Sequence, residues 1–215
     1  MKNLEKEKVK RFRESMLHNE EYIASLNSKI DCIKESLIKT AKSFVVGYLE
    51  LDGFDLDLNF EFELLDFKGD SETGYKMKCG YYRPTTRTIV INTLIIEIED
   101  NRLLLLSTLV HEIIHAYQIQ RSKGRYADID YKTLCELEDK NNIDYLDKFV
   151  EIDARMAQLK LMLQIKELRG LPEGYEEMII RQTLKYKDKN RILKFLELVK
   201  RKDVAMYEAA IKNLK

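Results

Sequence analysis

The stretch from Leu103 to Gln120 is a long, mainly apolar run that carries two histidines, His111 and His115, four residues apart. Leucine, isoleucine and valine spread around the run instead of following one stripe, which predicts a helix that is buried on most sides. Because an α-helix turns once in about 3.6 residues, the two imidazoles lie one turn apart on the same face. The chain has only three histidines, so a histidine-rich composition does not explain the pairing.

The two histidines belong to an H-E-x-x-H sequence with Glu112 between them. On a helix this spacing lets two imidazoles bind one zinc ion, and the glutamate can act as general base toward an attacking water. We therefore expect one catalytic Zn²⁺, with His111 and His115 as ligands and Glu112 as the base. The alternative is that both histidines are packing or surface residues of an ordinary helix.

The composition is that of a soluble, helix-rich globular protein, with 45% hydrophobic and 34% charged residues in a chain of 215. This length suggests one domain with an appended segment. Lysine plus arginine and aspartate plus glutamate both total 37, so the net charge is zero. A strongly basic surface is therefore not expected, and neither is a nucleic-acid partner.

The N-terminus is charged and lacks the apolar core of a secretory signal, and no run of 18 apolar residues occurs. The expected location is the cytoplasm, with no membrane contact. Cys32, Cys79 and Cys135 form no C-x-x-C pair, which is typical of free thiols in a reducing compartment. As zinc ligands, Cys79 and Cys135 are less favoured than a carboxylate.

Three short segments before the motif helix have the pattern of β-strands. Residues 54–65 alternate strictly between apolar and polar side chains, and residues 75–82 and 87–92 are the other two segments. Residues 68–74 form a turn between the first two. Short strands joined by tight turns predict a small three-stranded antiparallel sheet. Together with the helices, this sheet predicts a mainly helical α+β fold.

Helices account for the rest of the predicted organisation. Residues 1–26 form a charged helical segment, 27–169 the main domain, and 170–215 a helical extension packed on the same core. A helix capped by Asn27 or Ser28 precedes the strands, and the motif helix is capped by Asp100 or Asn101 and runs to about Arg121. Later helices are expected over residues 132–142, 144–169, 173–187 and 190–213.

A catalytic zinc site needs a third protein ligand, and the remaining histidine, His18, lies in the N-terminal segment. A carboxylate on the helix over 144–169 is therefore expected. The candidates are Asp144, Asp147, Glu151 and Asp153. Glu151 is preferred because it stands in a largely apolar run and is followed by the small Ala154, which lets two helices approach closely. The alternative is that Glu151 is a surface residue of an amphipathic helix.

Several of these residues match a known family pattern, in which a strand ending I-x-I-N precedes an arginine, T-L-x-H-E-x-x-H and a later E-x-x-A. The matching residues are Ile89–Asn92, Arg102, Thr108–His115, Glu151–Ala154, Ala157 and Leu161–Met162. Over about residues 75–165 the chain thus resembles small gluzincin-type zinc metallopeptidases, and most of all the ImmA/IrrE-like family. The resemblance implies a zincin-like domain with His111, His115 and Glu151 as zinc ligands and Glu112 as the base.

The chain departs from this pattern at two positions near the motifs. Arg155 stands four residues after Glu151, where several gluzincins carry aspartate or asparagine to orient a ligand. Ile114 stands where a glycine usually precedes the second histidine.

The expected reaction is hydrolysis of a peptide bond in a protein or peptide substrate, with Glu112 taking a proton from water and passing it to the leaving amine. In zincins the strand before the motif helix borders the cleft. Thr88, Val90 and Asn92 are therefore expected to bind an extended substrate by strand addition. The sequence does not choose which of four tyrosines would stabilise the oxyanion: Tyr117, Tyr126, Tyr131 or Tyr145.

Two other functional classes compete with a peptidase. One is a catalytically inactive, zincin-fold metal-binding protein with a regulatory or interaction role, which Arg155 favours. The other is a helical interaction protein in which the H-E-x-x-H sequence is accidental.

Overall fold

A computed structural model of the protein describes residues 20–65, 68–70, 74–76, 79–97, 102–120, 149–169 and 189–212. Within these ranges the fold is α+β and mostly helical, as predicted. The helices are α1 (Glu20–Asp31), α2 (Lys34–Leu49), a short 3-10 helix (Thr93–Glu97), α3 (Arg102–Gln120), α4 (Phe149–Arg169), α5 (Lys189–Lys202) and α6 (Val204–Lys212). The strands are β1 (Asn59–Glu63), β2 (Lys68–Asp70), β3 (Gly74–Lys76), β4 (Gly80–Arg83) and β5 (Thr88–Asn92).

The three-stranded sheet is mixed, so the predicted antiparallel meander is wrong. Its order is β1-β5-β4, with β1 parallel to β5 and β4 antiparallel to β5. The chain between β1 and β4 forms a separate antiparallel pair, β2 and β3. Strand β4 turns directly into β5 and pairs with one edge of it. Strand β1 pairs with the other edge of β5 and runs parallel to it.

Two helical breaks also differ from the prediction. Asn27 and Ser28 lie inside α1, and the chain breaks at Cys32 and Ile33 instead. Ile33 is the residue before α2 and makes no side-chain capping bond. The predicted helix over 190–213 is divided at Asp203, whose Oδ1 accepts a hydrogen bond from the Met206 amide at 2.8 Å. Asp203 is thus the N-cap of α6.

Helix α3 is the centre of the molecule and is buried on most sides, as its sequence predicts. Twelve of its residues are buried, including Leu109, Ile113 and Ile114 with no exposed surface. The main apolar cluster surrounds α3 with side chains from α1, α2, the sheet and α4. None of the described helices is both long enough and apolar enough to cross a bilayer.

Helix α4 lies between two apolar clusters. Ala154, Ala157 and Leu161 join the main cluster around α3. Ile152, Met156 and Leu159 join a second cluster with α5 and α6. The described part of the C-terminal extension therefore packs through this second cluster, on the other side of α4 from α3.

Several predicted segments lie outside the described residues. These are residues 1–19 of the N-terminal segment, the helices over 132–142 and 173–187, and the beginning of the helix predicted over 144–169.

Candidate metal centre

Three side chains from two helices meet at one point beside α3. His111 and His115 project from consecutive turns of α3, and Glu151 comes from the first turn of α4. The Nε2 atoms of the two histidines are 3.0 Å apart. Glu151 Oε1 lies 3.2 Å from His115 Nε2, and Oε2 lies 3.5 Å from His111 Nε2. This is the group of three residues in the described ranges that could hold a metal ion.

The separations within this cluster fit a small tetrahedral cation. Zinc–nitrogen and zinc–oxygen bonds of about 2.0–2.2 Å, at tetrahedral angles, place neighbouring ligand atoms about 3.4 Å apart. The three separations in the cluster, 3.0, 3.2 and 3.5 Å, lie on either side of that value. Moreover, Oε2 of Glu151 is buried and accepts no hydrogen bond from the described residues. A cation would satisfy this oxygen.

The electrostatics of the cluster also favour one positive charge between the rings. Burial, and then the neighbouring His115, lower the pKa of His111. Burial would lower the pKa of His115 too, but the carboxylates of Glu151 and Glu112 outweigh it and raise that pKa. Burial opposes the charge on Glu151, yet the two histidines hold the pKa of its carboxyl well below the usual range. The surroundings thus keep Glu151 ionised and favour a positive charge beside it.

Glu112 lies beside the cluster without being part of it. Its side chain follows His111 on α3 and is 7% exposed. Its charge raises the pKa of both histidines. The role of Glu112 as general base stays a prediction of the H-E-x-x-H sequence.

The outer nitrogens of the two rings contact a pair of glutamines that the sequence analysis missed. His111 Nδ1 lies 3.2 Å from Gln158 Oε1, and His115 Nδ1 lies 2.8 Å from Gln118 Oε1. Gln158 in turn contacts Ser107, and Gln118 contacts Asp153. Gln118 is three residues after His115, and a polar residue at one-turn spacing from a ligand could have been noticed. Gln158, on another helix, has no such signal.

Arg155 is buried behind Glu151, with 2% of its side chain exposed. Its Nη2 lies 3.6 Å from Glu151 Oε2. The residue that stands in place of the aspartate or asparagine of several gluzincins therefore contacts the Glu151 carboxylate. Asp153, a candidate ligand in the sequence, lies outside the cluster, where it accepts a hydrogen bond from Gln118 Nε2 at 3.4 Å.

The predicted substrate strand is not available for strand addition. Thr88, Val90 and Asn92 all lie on β5, which is fully buried and paired on both edges by β1 and β4. Asn92 Oδ1 instead accepts hydrogen bonds from the backbone of Leu65 and Leu94. Because both backbone edges are occupied, a substrate cannot pair with β5 as the sequence interpretation required.

The remaining predicted candidates do not join the cluster. Tyr117 is partly buried and packs against the main apolar cluster. Cys79 forms no disulfide with a described residue and is not part of the group that could hold a metal ion. The other candidates lie outside the described residues: Tyr126, Tyr131, Tyr145, Cys135, Asp144, Asp147 and His18.

Comparison of the chain with protein-family models, with curated proteins and with solved structures gives no match.

Proposed function

We propose that this protein is a zinc-dependent peptidase that hydrolyses a peptide bond in a protein substrate, of the gluzincin type that the motifs resemble. The observation that carries the proposal is the convergence of His111 Nε2, His115 Nε2 and the Glu151 carboxylate, with separations of 3.0, 3.2 and 3.5 Å. Two imidazoles and one carboxylate are the donor set of several catalytic zinc sites, in which a fourth position stays open.

His111, His115 and Glu151 would hold the metal, and their nitrogen and oxygen donors suit zinc. Bound there, zinc supplies Lewis-acid chemistry: it activates water near neutral pH and polarises a carbonyl. Glu112 accepts the proton of the water as the water oxygen attacks the scissile carbonyl carbon. It then gives this proton to the amine nitrogen as the carbon–nitrogen bond breaks. The buried surroundings of Glu112 limit competing solvent.

A substrate strand, if one adds to the sheet, must use another edge than β5. In the described sheet β4 is an edge strand, and it lies against α3 through Gly80, near Thr108. An extended peptide along β4 would therefore run beside the helix that carries His111 and Glu112. The proposed substrate is still an extended peptide segment, but it would pair with β4 and not with β5.

The proposal is tested by Glu112→Gln in zinc-loaded protein, assayed against a peptide library. We expect one zinc per chain in both proteins and a loss of cleavage of about 10²–10⁴-fold in the variant, since the general base is removed and the ligands are kept. His115→Ala is the matched control, because it should lose the metal and the cleavage together. Undiminished hydrolysis by Glu112→Gln would overturn the role of Glu112.

A second candidate is a metal-binding regulatory protein without hydrolytic activity. Arg155 supports it, because a buried guanidinium 3.6 Å from Glu151 Oε2 partly neutralises the ligand and weakens its pull on the metal. Stoichiometric zinc that depends on His115, with no cleavage anywhere in the library, would favour this candidate over the peptidase.

A further inference from the structure

The two glutamines beside the histidines are unusually well placed for polar side chains in a core. Gln118 is 1% exposed and Gln158 is 5% exposed. Each presents Oε1 to the outer nitrogen of a different histidine, and each uses its Nε2 on a second partner. A buried amide with both ends satisfied holds one orientation. These orientations determine where the histidines carry their protons.

Gln158 can have only one orientation in this environment. Its Nε2 donates to the backbone oxygen of Ser107 at 3.1 Å and to Ser107 Oγ at 2.9 Å. A backbone carbonyl oxygen can only accept, so the amide nitrogen must face Ser107. Oε1 must then face His111 Nδ1, at 3.2 Å. Because this oxygen can only accept, His111 must carry a proton on Nδ1.

The same reasoning applies to Gln118, with a different partner. Its Nε2 donates to Asp153 Oδ2 at 3.4 Å, so the amide nitrogen faces this oxygen. Oε1 of Gln118 therefore faces His115 Nδ1, at 2.8 Å. His115 must also carry a proton on Nδ1.

We propose that Gln118 and Gln158 are positioning residues that hold both histidines in the Nδ1–H tautomer and so direct two Nε2 lone pairs at one cation. The inference rests on the metal site of the proposed function, and it is independent of whether that site hydrolyses peptides. Two lone pairs that face each other across 3.0 Å repel unless a cation lies between them.

The chemistry of these two partners distinguishes the site from one supported by carboxylates. A carboxylate behind a ligating histidine raises the basicity of the ring and adds a negative charge. Gln118 and Gln158 accept the same hydrogen bond while remaining neutral. In the described residues, Gln118 stands between His115 and the carboxylate of Asp153, whose Oδ1 lies 3.9 Å from Lys202 Nζ on α5. The amides thus orient the rings without adding charge next to the metal.

The affinity test compares Gln118→Leu and Gln158→Leu with the unaltered protein, measuring zinc affinity by competition with a chelator. We expect each variant to bind zinc about 10–100-fold more weakly, the usual cost of removing an outer partner of a ligating histidine. Gln164→Leu makes the same chemical change at an exposed position of α4 and should leave the affinity unchanged. Leu159→Ala loosens the buried side of α4 that faces the second cluster and should lower stability without weakening zinc binding.

A spectroscopic test asks where the ring protons are. Long-range proton–nitrogen NMR correlations of the zinc-loaded protein should show a proton on Nδ1 of both His111 and His115. A proton on Nε2 of either ring would overturn the assignment. So would an unchanged zinc affinity in both glutamine variants, or an equal loss in Leu159→Ala. If the unaltered protein bound no metal, the metal centre and this assignment would both be overturned, whereas metal binding without peptide cleavage would contradict the peptidase alone.

Discussion

At the scale of single residues, Glu151 is a buried carboxylate that stays ionised because two histidines face it. Burial alone would raise the pKa of its carboxyl, but His111 and His115 together hold the pKa well below the usual range. Glu151 in turn helps to raise the pKa of His115. In the metal-free protein the stabilisation by Glu151 and His115 therefore decreases both at low pH and at high pH.

We predict that the metal-free protein is more stable than Glu151→Gln by an amount that is largest between about pH 4.3 and 6.5, the ordinary values for glutamate and histidine. The depressed pKa of Glu151 gives stability that is present above the unfolded value and is lost as the pH falls through the folded one. The raised pKa of His115 gives stability that is present below its unfolded value and is lost as the pH rises through the folded one. Urea denaturation with excess chelator measures both limbs.

The measurement to compare is the difference in unfolding free energy between wild type and Glu151→Gln. The lowered pKa of His111 makes both proteins less stable at low pH, and taking the difference reduces this shared effect. Arg87→Ala is a suitable control, since its exposed ion pair with Asp57 should contribute little at any pH. A stability difference between wild type and Glu151→Gln that stays constant from about pH 3 to 8 would contradict the coupling of Glu151 and His115.

The sequence predicted some residues of the cluster because their spacing carries information. His111, Glu112 and His115 lie within five residues of one helix, so helical geometry alone brings them together. Glu151 lies on another helix and was preferred for its apolar surroundings and for the family resemblance. Gln118 has the signal of its one-turn spacing from His115, whereas Gln158 could not be ranked above other polar side chains of α4, because its contact with His111 depends on how the two helices face each other.

At the scale of elements, Gly80 is a point at which β4 lies close against both β5 and α3. A Cβ atom at this position would lie 2.8 Å from the backbone oxygen of Val90 and 3.1 Å from Thr108 Cγ2. The backbone of Val90 cannot shift as easily as the end of a flexible side chain could. The absence of a side chain at Gly80 thus allows the edge strand to lie against the helix that carries His111 and His115.

We predict that Gly80→Ala destabilises the protein by about 1–3 kcal/mol, the usual cost of inserting an atom into a packed interface. Gly47→Ala is the matched control: Gly47 lies in α2, and a Cβ there meets nothing within 4 Å. Because alanine favours helix over glycine, this control should be more stable by about 0.5–1 kcal/mol. Urea denaturation of both variants measures the two opposite changes, and a destabilised Gly47→Ala together with an unaffected Gly80→Ala would refute the packing argument.

The elements themselves were more predictable than their pairing. Alternation identified a strand that includes β1, and the run around His111 identified α3 closely. The parallel pairing of β1 with β5 could not be read from either strand, because alternation shows which face is buried and leaves the neighbour open. The break before α6 did carry a local signal, since Asp203 is an ordinary N-cap residue that was overlooked within a continuous amphipathic pattern.

At the scale of the whole molecule, α4 connects the candidate metal centre to both apolar clusters. One side of this helix carries Ala154 and Ala157 against the main cluster, and another carries Met156 and Leu159 against the C-terminal helices. Glu151 begins the same helix, and its partners His111 and His115 lie on α3. A cation bound between α3 and α4 would therefore join the two helices that organise the described core.

This arrangement predicts that zinc stabilises the whole fold and not only the cluster. A ligand that binds the folded state alone, at a free concentration of about 100 times its dissociation constant, adds about 2.7 kcal/mol. For a chain of this size each kcal/mol raises the melting temperature by about 2–4 °C, so an increase of about 5–11 °C is expected. Thermal unfolding followed by circular dichroism, with zinc or with chelator, measures this shift.

His115→Ala should unfold at the same temperature in both conditions, because the third donor needed to hold the cation between α3 and α4 is gone. An equal zinc-dependent shift in wild type and His115→Ala would mean that the stabilising metal binds elsewhere on the chain.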